Sequence, residues 1–281
     1  MNTFWFIRSA RLRWLLAGLV LAGAATVFVL PVGVAVLWSL VDPEVGWFPP
    51  DVVPPALSLD NWRALLAVPE MADAFVTSFT VAVLVTLLSV ALGLPAGFAF
   101  GRRQFRLRRL LELLVLTPLM LPSIVLATGL GSIFIRLGLW QTVPGVVLAQ
   151  SVVVLPLMIR IVAATFGGVP QDMIDAARNL GASPLALARH ILMPMILPGL
   201  VAGALLCFIG SLEEFILTFV VGMPTIQTLP MVLWAYMGGH SSILTYAAVV
   251  SLALLAPTLI MLFVVERVLK QEYLAAGFGK A

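Results

Sequence analysis

The sequence predicts an all-α integral membrane protein with six transmembrane helices. Three observations lead to this prediction: an apolar composition, six long apolar runs, and an uneven distribution of Lys and Arg. Apolar residues make up 62% of the 281 residues, charged residues make up 10%, and the mean hydropathy is +1.11. A soluble domain has roughly 45–50% apolar and about 25% charged residues. This chain therefore requires lipid as its solvent.

Six apolar runs are long enough to cross a bilayer, which takes about 20 mostly apolar residues. The runs cover residues 14–40, 74–100, 110–134, 144–165, 195–221 and 246–265. A seventh run, residues 229–237, is too short to span and contains Pro230. We expect that segment to be interfacial or re-entrant.

The first run resembles a signal peptide at its start, because Arg8, Arg11 and Arg13 precede it. The apolar region of a signal peptide has only about 7–15 residues, whereas this run continues to Leu40. We therefore expect the first run to be retained as a transmembrane helix.

Lys and Arg concentrate on one side of the predicted topology. With the N-terminus inside, all of the 16 Lys and Arg residues except Arg63 and Arg136 lie on the cytoplasmic side, as the positive-inside rule requires. The basic cluster RRQFRLRR at 102–109 is compatible with nucleic-acid binding, but beside a membrane span it is better explained by anionic headgroups. We expect cytoplasmic N- and C-termini and no nucleic-acid partner.

A polar stretch, DAARNLGASPLALARHILMP at residues 175–194, interrupts the apolar chain between the fourth and fifth runs. Pro170 suits the first turn of a helix, because its missing N–H costs nothing there. Asp175 lies toward the positive end of that helix and Arg178 toward its negative end. Gly181 follows, where a left-handed helix stop is usual. The stretch therefore begins with a short polar helix.

A second short helix is predicted directly after Gly181. Ser183 can cap it and Pro184 can take its first position, and it extends to Pro194, where the fifth span begins. Three residues of the first helix share an apolar face: Met173, Ala177 and Leu180. An ordered linker is the plain alternative. We favour a docking surface, because short helices are marginal alone in water and an apolar stripe needs a partner.

The spacing of this loop resembles the signature cytoplasmic loop of the permeases of type I ABC importers. That pattern is Glu-Ala-Ala, three residues, Gly, nine residues, Ile, one residue, Leu-Pro. The matching positions here are Asp175, Ala176, Ala177, Gly181, Ile191, Met193 and Pro194. Asp175 replaces Glu and Met193 replaces Leu. The resemblance covers roughly residue 72 to the end of the last span, and the first span is an addition common in such permeases.

The resemblance implies a fold, a set of partners and a role for the loop. The fold is the type I importer transmembrane domain, and the loop is a coupling helix seated in a cytoplasmic ATPase. The implied coupling residues are Asp175, Ala176, Ala177, Gly181, Ile191 and Pro194. The implied partners are an ATPase dimer, a second permease subunit and a periplasmic binding protein. The implied location is the bacterial inner membrane. The expected organisation is a tail, first helix and periplasmic loop at 1–71, a five-helix core at 72–268, and a tail at 269–281.

The sequence gives this chain no catalytic or metal-binding motif of its own. No GxxxxGK[ST] stretch is present, and GFGKA at residues 277–281 lacks both the spacing and the hydroxyl. We therefore expect ATP and Mg²⁺ on the partner ATPase and no cofactor on this chain. His190 and His240 are isolated, so no metal site is expected, and His190 is interpreted as a helix-terminal cap. An intramembrane hydrolase is excluded, because no nucleophile and base converge.

Glu213 and Glu214 are the acidic pair deepest in the apolar runs, and an ionisable group at such depth usually marks a function. We expect them on one helix about 100° apart, with at most one of them pointing into a pore. The alternative is that they hold two permease subunits together. The remaining candidate residues of a substrate pathway are Thr218, Trp234 and Tyr236.

The segment GSLEEFILTFVVGMPTIQTLPMVLWAYM, residues 210–237, resembles the spermidine/putrescine branch of these permeases. That branch has Ser-Phe-Asp-Glu/Asp-Phe, then Gly-Pro and Thr-Leu-Pro. Leu212, Glu213 and Met223 depart from it. The resemblance implies a polyamine or related cationic amine, with aromatic rings available for cation–π contacts. Iron(III), opine or amino-acid-like and phosphonate cargo remain alternatives. A gradient-driven secondary transporter, a channel and a purely structural subunit are less favoured, because no internal repeat is visible and the loop motif argues against them.

Overall fold

The computed structural model describes residues 10–238 and 243–277, with side chains for 12, 14–238 and 243–267. His240 and the outermost terminal residues lie outside the described residues. The described chain is helical, and its β-structure is limited to one isolated bridge between Val41 and Leu57. The helices of the first half are α1 (Ala10–Ser39), α2 (Asp60–Leu66), α3 (Pro69–Arg102), α4 (Arg108–Met120), α5 (Ser123–Leu137) and α6 (Val143–Gly168). Those of the second half are α7 (Gln171–Asn179), α8 (Pro184–Leu187), α9 (Met193–Leu212), α10 (Ile216–Gly222), α11 (Leu229–Gly238) and α12 (Leu244–Gly277).

Five helices of the described chain are long and apolar enough to cross a membrane: Trp14–Ser39, Pro69–Arg102, Val143–Gly168, Pro184–Leu212 and Leu244–Arg267. The pair formed by α4 and α5 makes a sixth span if it is counted as one. The prediction of an all-α membrane protein with about six spans is therefore confirmed. The short run at 229–237 forms α11, a ten-residue apolar helix, and its interfacial or re-entrant placement stays a prediction.

The third predicted span is not one straight helix. Helices α4 and α5 are bent by 104° relative to each other at Leu121 and Pro122. Leu121 has φ −90° and ψ 141°, which is extended backbone. A residue that precedes proline is disfavoured in the α-region, and proline cannot donate a backbone hydrogen bond, so the helix ends here. The prediction of an uninterrupted span over 110–134 was wrong for this reason.

The fifth predicted span is also divided. Helix α9 ends at Leu212, helix α10 begins at Ile216, and the acidic pair lies in the turn between them. The placement of Glu213 and Glu214 on one continuous helix was therefore wrong. Glu213 takes the C-cap position of α9 with φ −89° and ψ −6°.

The larger of two compact units comprises residues 69–235 and 253–277, and its core packs α3, α6 and α9 closely together. A methyl group on Gly93 of α3 would lie 2.6 Å from Cγ of Met158 on α6, and one on Gly203 of α9 would lie 2.8 Å from its Sδ. Met158 is fully buried between the two glycines. The absence of a side chain at Gly93 and Gly203 thus allows the close approach of the three helices.

The smaller unit comprises residues 10–68, 236–238 and 243–252. Its loop after α1 is held by main-chain pairing, since the N–H of Ser58 donates to the carbonyl of Leu40 at 2.8 Å. The buried side chain of Asn61 on α2 donates to the carbonyl of Val41 at 2.6 Å. Helix α2 is thereby fixed against the loop that precedes it.

Candidate functional site

The polar loop after α6 folds as a short helix with charges arranged along its dipole. Helix α7 begins at Gln171, one residue after Pro170, which has the extended ψ of 133° of an N-cap. Pro170, which the sequence places in the first turn, is thus the N-cap residue directly before that turn. Asp175 lies 3.6 Å from Arg178 and accepts a hydrogen bond from Gln171 at 3.0 Å. These pairs are exposed and contribute little stability.

The end of α7 is a Schellman motif centred on Gly181. Its φ of +81° lies in the left-handed region, where L side chains are strained. The N–H of Gly181 donates to the carbonyl of Arg178 at 2.9 Å, and the N–H of Ala182 donates to that of Ala177 at 3.0 Å. Two carbonyls at the helix end are satisfied in this way. The left-handed stop predicted at Gly181 is confirmed.

The second helix begins as the sequence predicts but ends differently. The hydroxyl of Ser183 accepts a hydrogen bond from the N–H of Ala186 at 3.2 Å, and Pro184 is the first helical residue. After α8 the chain passes through one π-helical turn, Ala188–Leu192, directly into α9. The expected break at Pro194 is absent, because a proline in the first turn of a helix loses no hydrogen bond. Helices α8 and α9 therefore form one continuous element.

His190 lies within this continuous element rather than at a helix end. Its Nδ1 is 3.1 Å from the carbonyl oxygen of Ala186, one turn earlier, and the residue is exposed. The interpretation of His190 as a helix-terminal cap was therefore wrong, because the helix does not terminate there. Among the described residues no group of three or more His, Cys, Asp or Glu could hold a metal ion.

The loop is anchored by two buried side chains and presents several exposed ones. Ile174 of α7 and Leu187 of α8 are buried and belong to the main core cluster. Leu180 is 88% exposed and Leu185 is 77% exposed. Met173 is 46% exposed, so the predicted apolar face is largely uncovered. The single chain thus leaves a contiguous stretch of α7 and α8 with large apolar side chains in contact with solvent.

Six loop residues were singled out by the sequence pattern, and they differ in exposure. Asp175, Ala176, Gly181 and Pro194 are exposed, whereas Ala177 and Ile191 are half-buried against the core. The exposed members lie on α7, at its end and at the start of α9. The half-buried residues attach the loop to the helix bundle. The exposed residues are free to contact a partner protein.

The acidic turn between α9 and α10 gives its two carboxylates different environments. Glu214 is half-buried, and its Oε1 accepts the backbone N–H of Leu217 at 2.6 Å, which caps the start of α10. Glu213 is exposed, and the hydroxyl of Thr258 on α12 lies 3.2 Å from its Oε1. Both carboxylates therefore accept one hydrogen bond from the protein, and they differ in exposure, which leaves Glu213 the more accessible of the two.

Thr218 and Trp234 occupy contrasting places around this turn. Thr218 is fully buried, and its hydroxyl accepts the side-chain amide of Gln150 at 2.8 Å, so it borders no open path in this structure. Trp234 is 55% exposed, and its ring centroid lies 5.5 Å from that of Phe215. Phe215 also lies 5.3 Å from Phe219. Exposed aromatic surface thus adjoins the acidic turn in the chain.

Tyr236 belongs to the smaller unit and is described by its contact there. Its ring is half-buried and packs edge-on against Tyr246, with the ring centroids 5.5 Å apart.

Sequence reasoning missed two polar residues of this region. Gln150 lies in the N-terminal third of α6 and is buried, and Thr258 lies in α12 beside Glu213. A glutamine within a long apolar run is itself a signal, because a side-chain amide in a membrane requires a hydrogen-bond partner. The position of Thr258 carried no such signal.

Comparison with known proteins gives a family match and several relatives. The pattern of the family described as "binding-protein-dependent transport system inner membrane component" matches residues 93–271. The trehalose transport system permease protein SugB of Mycobacterium tuberculosis is 34% identical over 166 residues, which is 59% of this chain and 61% of that protein. The molybdenum transport system permease protein ModB of the same species is 34% identical over 164 residues, which is 54% of this chain and 62% of that protein. The matches thus span less than two-thirds of these relatives.

A more distant relative and two solved structures complete the comparison. The spermidine/putrescine permease protein PotC of Haemophilus influenzae is 29% identical over 176 residues, 61% of this chain and 67% of that protein. A bacterial ABC transporter that imports the acidic polysaccharide alginate matches with a TM-score of 0.71 at 17% identity over 94% of this chain and 99% of that one. The MetNI methionine ABC transporter matches with a TM-score of 0.57 at 21% identity over 73% of this chain and 98% of that one. These matches confirm the predicted fold.

Proposed function

The chain belongs to the family of binding-protein-dependent transport system inner membrane components, and from that premise we propose that it is the permease subunit of an ATP-driven importer. It is a multi-pass inner membrane protein that would carry a small solute from periplasm to cytoplasm. Its path would open alternately to the two sides. The energy would come from a separate ATPase.

The uncovered face of the polar loop is the observation that supports this proposal most directly. Leu180 and Leu185 are more than three-quarters exposed, and neither can be covered by lipid if the neighbouring acidic residues face water. A protein groove that accepts both apolar side chains and a carboxylate would cover them. We propose that this groove belongs to the cytoplasmic ATPase dimer. Asp175, Ala176 and Gly181 would be the residues of this chain that contact it.

The continuity of α8 with α9 supplies the mechanical link. A displacement of the loop acts on one end of the helical element Pro184–Leu212 and reaches the acidic turn at the other end. Helix α7 is tied to the core by Ile174, so the ATPase would move the loop together with the helices packed behind it. Closure of the ATPase dimer would in this way change the packing of the bundle.

The remaining partners follow from the same proposal. A second permease subunit would complete the translocation path, and a periplasmic binding protein would deliver the cargo. ATP and Mg²⁺ would bind the ATPase and not this chain. The N- and C-termini would lie in the cytoplasm, on the side that carries the basic cluster at 102–109.

For the cargo we favour a polyamine or a related cationic amine. Glu213 is an exposed carboxylate in a membrane bundle. An ionised carboxylate within a membrane is energetically unfavourable unless a cation pairs with it. Trp234 offers an exposed aromatic face suited to an ammonium group. The relatives named above carry different cargo according to their descriptions, so the preference rests on Glu213 and not on likeness.

The experiment that tests the function is uptake and ATP hydrolysis by the complex reconstituted in lipid vesicles. The informative variants are Gly181→Asp and Gly181→Asn, because both residues tolerate a positive φ and have nearly equal size. Only the aspartate adds a charge to the docking face. We expect Gly181→Asn to retain most of the stimulated ATP hydrolysis and uptake, and Gly181→Asp to lose both. Uptake that persists without ATP would contradict the proposal.

A further inference from the structure

A cavity of about 350 Å³ lies between α3, α4 and α6, next to the basic segment at 102–109. Helices α3 and α6 touch at its base, because a methyl group on Gly101 would lie 2.5 Å from the carbonyl oxygen of Ala163. Ala164 and Gly167 continue the wall of α6. Their small side chains leave room between α6 and α4 for a group the size of a phosphate with its ester oxygens.

The polar lining of the cavity carries more positive than negative charge. Nε of Arg108 lies 2.9 Å from Oε1 of Glu112, one turn further along α4. Arg160 lines the cavity from α6, and no hydrogen bond or ion pair joins it to another residue of the described chain. Two guanidinium groups and one carboxylate therefore line the cavity, and the carboxylate pairs with Arg108 alone.

The position of Arg160 makes its missing partner significant. It lies eight residues before Gly168, roughly 12 Å along the helix, and within the membrane-spanning α6. Its side chain is exposed, and a guanidinium near the cytoplasmic end of a span reaches the headgroup level, where an anionic group is a favourable partner. Arg102, by comparison, donates to the carbonyl of Val169 at 2.9 Å. The cavity is thus lined by a guanidinium group that has no hydrogen-bond or ion-pair partner within the described chain.

The geometry points to a binding site for the phosphodiester headgroup of an anionic phospholipid. Arg108 and Arg160 would hold the phosphate from two helices, since guanidinium groups donate paired hydrogen bonds to phosphate oxygens. Val115 and Leu116 of α4 lead away from the charged end and offer an apolar path for an acyl chain. Basic pockets between transmembrane helices on the cytoplasmic side suit such headgroups.

The ion pair with Glu112 gives the site a built-in competitor. In the structure the Glu112 carboxylate is paired with the Arg108 guanidinium. A lipid phosphate must therefore compete with Glu112 for Arg108. Removal of the Glu112 charge should therefore strengthen binding, whereas removal of the Arg160 charge should weaken it. A general folding defect would weaken binding in both variants. The inference depends on the membrane location of the chain and not on its cargo.

Native mass spectrometry of the purified full-length complex tests the site. The complex is incubated in detergent with equal amounts of phosphatidylglycerol and the zwitterionic lipid phosphatidylcholine, whose choline cation offsets its phosphate charge, and the bound fraction of each is counted. The variants are Arg160→Gln and Glu112→Gln, with Arg106→Gln as the control, because Arg106 is exposed on the same basic segment and does not line the cavity. Thermal unfolding of each variant accompanies the measurement.

We expect Arg160→Gln to lower phosphatidylglycerol retention about tenfold, the order of one charge-assisted hydrogen bond. Glu112→Gln should raise retention severalfold, and Arg106→Gln should leave it within about twofold of the unaltered protein. Equal losses in Arg160→Gln and Arg106→Gln would overturn the inference in favour of diffuse attraction. Displacement of the lipid by millimolar inorganic phosphate would overturn it in favour of a soluble anion.

Discussion

Gln150 of α6 donates its side-chain amide to the hydroxyl of Thr218 on α10 at 2.8 Å. The hydroxyl of Ser211 on α9 donates to the amide oxygen of the same Gln150. All three residues are buried. One side chain therefore joins three helices, including the end of α9 that precedes the acidic turn. If movement of the polar loop displaces α9, the Gln150 side chain would transmit that displacement to α10.

The first prediction concerns this buried amide. Thr218→Val removes the acceptor and leaves the Gln150 amide without its partner, which should cost about 1 kcal/mol, the order of hydrogen bonds measured between membrane helices. Thr128→Val is the matched control, because Thr128 is exposed and its hydroxyl bonds only within its own helix, to the carbonyls of Ile124 and Val125. Thermal unfolding in detergent should show a lower midpoint for Thr218→Val alone. Equal midpoints would remove the structural role assigned to Gln150.

The second prediction concerns the contact between α3 and α6. Gly101→Ala places a methyl group 2.5 Å from the carbonyl oxygen of Ala163, and backbone cannot yield as a side chain does. We expect a loss of about 1–3 kcal/mol of stability from the forced separation of the helices. Gly129→Ala in α5 is the control, since no atom lies within 4 Å of the added carbon. The unfolding midpoints of the two variants check the prediction. An equal decrease of the midpoint in Gly101→Ala and Gly129→Ala would contradict it.

The third prediction separates docking from folding in the polar loop. Leu185→Asp changes a side chain that is 77% exposed, so the unfolding midpoint should stay nearly unchanged, while stimulated ATP hydrolysis and uptake should be lost. Leu187→Ala truncates a buried neighbour and should lower the midpoint, with a cost of about 2–4 kcal/mol from the cavity it leaves. ATPase assays of the reconstituted complex and unfolding curves are compared. Full ATP-driven uptake by Leu185→Asp would place the docking surface elsewhere.

The fourth prediction distinguishes the two carboxylates of the acidic turn. Glu213→Gln removes an exposed charge and should lower the uptake of a labelled polyamine about tenfold, the order of one charge-assisted contact. Glu214→Gln keeps an oxygen that accepts the N–H of Leu217, so uptake and stability should change little. Concentration-dependent uptake in vesicles gives both values. ATP-driven uptake that is equal in Glu213→Gln and the unaltered protein would reject a cationic cargo while leaving the importer function intact.

The sequence alone determined the features that depend on interactions between residues close together in the chain. The apolar runs identify the membrane spans because burial in lipid depends on the run itself. Ser183 and Gly181 mark the ends of the loop helices because caps form between residues a few positions apart. The spacing from Asp175 to Pro194 indicated the family that the match over residues 93–271 then established.

Only the tertiary structure decided where helices break inside the membrane and which polar groups meet. Helix α10 can end near Val220 and Val221 because the indole of Trp140 and the N–H of Gln141, some 80 residues earlier, donate to their carbonyls. Helix α11 can begin at Leu229 because the hydroxyl of Ser78 accepts its N–H at 2.8 Å. In lipid a free backbone group needs a protein partner, and that partner can lie anywhere in the chain. The end of α10 and the start of α11 are therefore set by long-range hydrogen bonds that no local pattern encodes.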